Sequence, residues 1–148
     1  MLILSIVLVA FLVLELLNVL LLYLTPGSRR GNAMGVFKAY EKAKEDPEVG
    51  ALVNYLINWV AGTKLIFIVL LTGIVIAGNL ATKFFSVVAL IFSILTFFSR
   101  LYPTIKTMDE QGQITPHGYS RTLGIMIGSF VGVFAAAAIA FLVFFNQA

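Results

Sequence analysis

At 148 residues, with 60% hydrophobic and 11% charged residues and a mean hydropathy of +1.01, the chain lies outside the range of water-soluble globular domains. The lack of cysteine rules out disulfides, thiolate catalysis and cysteine-ligated zinc or iron–sulfur centres, and one histidine is too few for bis-histidine haem ligation. The net charge of +3 comes without an aromatic-interleaved basic patch, so it argues for membrane orientation and against a nucleic-acid partner.

Four apolar runs are long enough to cross a hydrocarbon core, which takes about 20 helical residues. They run from Leu2 to Leu24, Asn54 to Ala77, Thr82 to Tyr102 and Ser120 to Phe145. The expected fold is therefore an all-α membrane protein: one transmembrane domain over residues 1–148, with four helices in an antiparallel bundle.

The first run has no basic leader, exceeds the roughly 7–15 residues of a signal-peptide core and lacks an A-x-A-like cleavage site, so it reads as a permanent span, with the mature chain starting near Met1. Glu15 sits near its middle, with Asn18 one turn later on the same face. Ionisable groups at such depth are rare and need compensation.

The first connection, residues 25–53, opens with Arg29 and Arg30 at the membrane edge, a position suited to anionic lipid headgroups, although two charges fall short of a full basic cluster. Met34, Phe37, Tyr40 and Ala43 then recur three apart, while Lys38, Glu41, Lys42 and Glu45 lie elsewhere. This pattern predicts a short surface helix, started by Gly31 and Asn32 and stopped by Asp46-Pro47. It is either an interfacial or partner-docking helix or a solvated connector lying on the headgroups.

In the second span, Asn54, Asn58, Ala61, Thr72 and Asn79 fall within a narrow arc at 100° per residue. Lys64 lies ten residues beyond Asn54, and counting inward from the same edge brings it to the depth of Glu15. Two arrangements follow. Glu15 and Lys64 pair within the membrane, with Asn18 or Asn58 filling spare hydrogen-bonding positions, or Lys64 snorkels to the headgroups while protonated Glu15 bonds Asn18.

The tight turn at Gly78-Asn79 makes the second and third spans antiparallel neighbours. In the third span, Ser86, Ala89, Ser93, Thr96 and Arg100 alternate three and four apart, which is heptad geometry for left-handed packing. Residues 103–119 carry turn chemistry at Gln111-Gly112 between rough apolar-polar alternations, so a small hairpin is expected there. His117 lies in this loop with Asp109 and Glu110 but matches no metal-ligand spacing, and reads as solvent-exposed.

The last span places Gly124, Gly128, Gly132, Ala136 and Ala140 four apart. Lipid tails are as apolar as leucine, so helices in a bilayer associate by close packing and hydrogen bonding. Such a ridge is a docking surface for another helix, in the same chain or a different one, with a right-handed crossing.

Lys and Arg concentrate in residues 25–53 and around 103–119, which makes both loops cytoplasmic and both termini non-cytoplasmic. There is no phosphate-cradling glycine loop, H-E-x-x-H, G-x-S-x-G or carboxylate cluster, and no cofactor or metal is expected. The leading functional expectation is a non-catalytic membrane subunit or scaffold whose partners, beyond the bilayer itself, are other membrane-protein chains or further copies. The alternative is a small oligomeric transporter or channel lined by Glu15, Asn18, Lys64 and the second-span asparagines. A third reading is a lipid- or isoprenoid-directed enzyme using Asp109, Glu110 and His117 as acid-base groups.

Overall fold

A computed structural model describes residues 2–145. Its helices are α1 (Leu2–Leu24), α2 (Lys38–Ala43), α3 (Pro47–Ala77), α4 (Leu80–Glu110) and α5 (Tyr119–Phe145), with a 3₁₀ turn at Met34–Val36 before α2. Four of them, α1, α3, α4 and α5, are long and apolar enough to cross a bilayer. Ile76 is 78% exposed and Phe85 71%, and a surface built from such side chains is compatible with hydrocarbon rather than water. These four helices fit a helical, multi-pass membrane protein.

Local chemistry sets the boundaries. The surface helix expected between Gly31-Asn32 and Asp46-Pro47 spans only Lys38–Ala43, after a separate 3₁₀ turn, and Asp46-Pro47 instead begins α3. The Asp46 carboxylate accepts from the backbone N–H groups of Glu48 and Val49 at 2.9 and 3.2 Å, and Pro47 occupies a first-turn position where no N–H is needed. The helix thus starts seven residues before the apolar run at Asn54. At the other end, Asn79 caps α4 by accepting from the Thr82 N–H at 2.9 Å, so two residues separate α3 from α4.

The expected stop near Tyr102 is replaced by continuation of α4 through Pro103 to Glu110. Packing outweighs the lost hydrogen bond: Ile105 joins Val36, Ile114 and Leu123 in a small apolar cluster. This also corrects the expected hairpin. Residues 103–110 are helical, and after the Gln111-Gly112 turn Ile114 pairs with Phe37 of the first connection. Lys38 N–H donates to the Gln113 carbonyl at 3.0 Å and Thr115 N–H to that of Val36 at 2.8 Å. The two long connections are zipped together.

The main core forms around α1. Leu4, Leu8, Leu12, Val19 and Leu22 are buried along one face, and Phe11 meets Phe67 of α3 and Phe130 and Phe134 of α5 edge-on, with centroids 6.0, 6.2 and 5.3 Å away. The closest associations are α1 with α3 and α4 with α5, while α3 and α4, though consecutive, touch only slightly. That separation opens a groove between them, over α1.

Candidate functional site in the groove between α3 and α4

Lys64 Nζ donates to Glu15 Oε2, joining α3 to α1. The structure therefore contains the paired arrangement, with no snorkelling of Lys64 to a surface. The spare positions are filled differently from the sequence expectation. Asn58 is exposed, and Asn18 Oδ1 accepts instead from the backbone N–H of Asn32 at 3.3 Å. Gly31, beside it, has φ +55°, and a side chain there would run into Asn18 and Leu21. Asn18 thus pins the first connection against the end of α1, and Glu15 keeps Lys64 as its partner among the described residues.

The pair forms part of the wall of a groove of about 460 Å³. Phe11 and Glu15 supply its floor from α1, and α3 and α4 supply its sides. The Lys64 and Glu15 side chains remain 23% and 15% exposed, so the ion pair faces open space rather than a sealed core. Ser93 borders it from α4, and its hydroxyl has no partner among the described residues. Trp59 stands at the rim, 62% exposed. A second hollow of about 190 Å³ shares Phe67, Leu90 and Ser93 and extends toward Ile74 and Ser86. The polar residues expected to knit the third span to a neighbour lie along or beside this gap: Ser93 and Thr96 are exposed and Ser86 is half-buried. Thr96 and Ser86 donate to backbone carbonyls of their own helix, those of Ser93 and Thr82, at 2.6 and 2.8 Å.

The small-residue ridge is used along part of its length. A Cβ on Gly124 would come within 2.9 Å of the Tyr102 ring, and one on Gly128 within 4.0 Å of Phe98, both on α4. Around Gly132 nothing lies within 4 Å, Ala136 is exposed and Ala140 half-buried. Helical geometry explains the divergence: at about 100° per residue, each four-residue step rotates the ridge by roughly 40°. A ridge that meets α4 at Gly124 has turned outward by Gly132.

At the connection end, Asp109 is buried and fully engaged. Its carboxylate accepts from the Gly118 N–H at 3.0 Å, the Ser120 N–H at 2.9 Å and the Ser120 hydroxyl at 2.7 Å, clamping the end of α4 to the start of α5. The Ser120 hydroxyl bond holds its pKa below the ordinary value, assisted by the backbone bonds and by the charge of His117 and opposed by burial. Glu110 lies 3.8 Å from Lys106 and His117 is exposed, so the three acid-base candidates do not converge on one space. Among the described residues no group of three or more His, Asp or Glu is placed to hold a metal. Arg29 and Arg30 are exposed.

Sequence reasoning missed the groove and the Asp109 clamp. Asp109 lies nine residues before Gly118, beyond the reach of a local capping pattern, so the sequence carried no signal for the clamp. No protein-family model, curated protein or solved structure matches this chain.

Proposed function

We propose that the chain is a non-catalytic integral membrane subunit or scaffold that docks helices of other chains within a larger membrane assembly. The supporting observation is the surplus ridge: Gly124 is occupied by Tyr102 of the same chain, whereas Gly132 has nothing within 4 Å. An unsubstituted backbone flank in a bilayer gains most when another helix approaches it closely. In this reading the spans alternate in direction and residues 25–53 and 103–119 face the cytoplasm. Arg29 and Arg30 lie at the headgroups, and α2 rests in the interface. Just past α2, Lys44 is held above its ordinary pKa by its hydrogen bond to Glu41.

Transport through Glu15 and Lys64 fits less well. Beyond the pair, the bundle interior is closed by Leu4 and Leu8, which have no solvent exposure, with Phe11 and Leu12 nearly as buried. The polar contact at the far end, Lys83 Nζ to Ser5 Oγ at 3.1 Å, is separated from Glu15 by that apolar layer.

Two glycine substitutions test the docking reading. Gly124→Ile displaces a Tyr102 ring already packed on Phe97 and Phe98 and lowers the stability of the isolated chain by about 1–3 kcal/mol. Gly132→Ile changes that stability by no more than about 0.5 kcal/mol but removes the partners. Mass measurement of mild-detergent extracts reads the difference: wild type travels with other chains and Gly132→Ile alone. Wild type running as a stable monomer with no co-purifying chain overturns the reading.

A further inference from the structure

We propose that the groove between α3 and α4 binds an uncharged, membrane-dissolved small molecule that presents a carbonyl-type hydrogen-bond acceptor to Lys64 and lays an apolar body along Phe67 and Leu90. This is independent of what α5 docks.

The polar end follows from donor accounting. An ammonium carries three donors. Glu15 takes one, and it is the hydrogen-bond partner Lys64 has among the described residues. The groove sits mid-way along helices whose exterior is hydrocarbon-facing, where no water is at hand to satisfy the remainder. An acceptor arriving in the groove meets those N–H groups and the free Ser93 hydroxyl opposite. Charge decides the class of acceptor. Glu15 and Lys64 already sum to zero, so an anionic ligand would leave a net charge within the bilayer, at a cost that a quinone, ester or amide carbonyl avoids.

The apolar end follows from shape. A volume of about 460 Å³ with mostly apolar walls and few convergent polar groups belongs to the small-molecule range of roughly 300–1,000 Å³. It is too small to seat a whole helix about 10 Å across. The adjoining hollow of about 190 Å³, which shares Phe67, Leu90 and Ser93, prolongs it along the helices. The occupant is elongated, with its polar group at one end.

The chain carries its own reporter, because Trp59 at the groove rim is its single tryptophan. The detergent-solubilised full chain is titrated with a short-chain alkyl benzoquinone, and Trp59 fluorescence is followed. Saturable quenching is expected. Glu15→Met combined with Lys64→Met, which removes the donors without leaving an orphan charge, weakens it about tenfold or more. Ser93→Leu fills the groove from α4 and abolishes the saturable component even if the double variant proves poorly folded. A monoacylglycerol, an uncharged ester, displaces the quinone, and an anionic single-chain phospholipid does not. Quenching that rises linearly and equally in wild type and Ser93→Leu overturns the proposal. Equal displacement by the anionic lipid overturns the uncharged head, and a Trp59 shielded by another polypeptide in the intact assembly overturns the small-molecule occupant.

Discussion

Lys64→Leu is expected to lower the thermal midpoint of the purified protein sharply, and adding Glu15→Leu is expected to restore most of the loss. Removing one partner of an intramembrane pair leaves the other charge without compensation, an effect of about 3–5 kcal/mol when the orphan stays ionised. Replacing both partners by leucine removes the desolvation problem as well as the attraction, so the double variant returns close to wild type. The pair faces a groove rather than a sealed core, with 23% and 15% of its side chains exposed, and leucines there meet lipid and the Phe11 ring without a new cavity. A double-mutant cycle in detergent micelles measures the coupling. Additive single effects would mean that the two groups do not act as a pair.

The second large effect is expected at Asp109. Asp109→Ala leaves the N–H groups of Gly118 and Ser120 and the Ser120 hydroxyl without their acceptor, a loss of about 1–3 kcal/mol. Acid acts on the same clamp. Since the native pKa is lowered, chiefly by the Ser120 hydroxyl, the folded state takes up the proton less readily than the unfolded chain. The stabilisation is complete above the ordinary aspartate value of 3.8. It is lost as pH falls from there through the lowered native value. Asp109→Asn flattens that acid limb while keeping the side chain's shape. Thermal unfolding followed from pH 7 down to pH 3 checks this, and a limb unchanged in Asp109→Asn would assign the acid sensitivity to other carboxylates.

Much of the architecture was legible because hydrocarbon imposes a length on every helix that crosses it. The apolar runs at Leu2–Leu24 and Ser120–Phe145 coincide closely with α1 and α5. Depth counting put Glu15 and Lys64 at one level, since a residue's distance along a helix is a fixed rise per position, but it left pairing and snorkelling equally open. The parts that escaped depend on azimuth and on tertiary contact. Hydropathy ends the second and third spans where polar residues begin, yet α3 reaches back to Pro47 through the Asp46 cap and α4 runs on to Glu110 because Ile105 finds Val36, Ile114 and Leu123. Pairing of Phe37 with Ile114 joins segments almost eighty residues apart, and no local pattern announces it. The ridge was visible as composition, but a four-residue repeat does not stay on one face of a straight helix, so the sequence did not reveal where Tyr102 would stop covering it. Nor could the groove be foreseen. Gly78-Asn79 makes α3 and α4 sequence neighbours, and their separation arises because α1 packs on α3 while α5 packs on α4.

Single cysteines placed in native membranes test the docking claim most directly, and the chain offers a background free of cysteine. Gly132→Cys and Val133→Cys sit on adjacent residues about 100° apart around α5, both in the membrane-facing surface of the isolated chain. The substitution at 132 is expected to cross-link to another polypeptide and to resist a lipid-soluble alkylating reagent, while the one at 133 is alkylated freely. Equal alkylation at both positions, with no cross-linked product, would mean that the outer half of the ridge faces only acyl chains, and would contradict the docking claim.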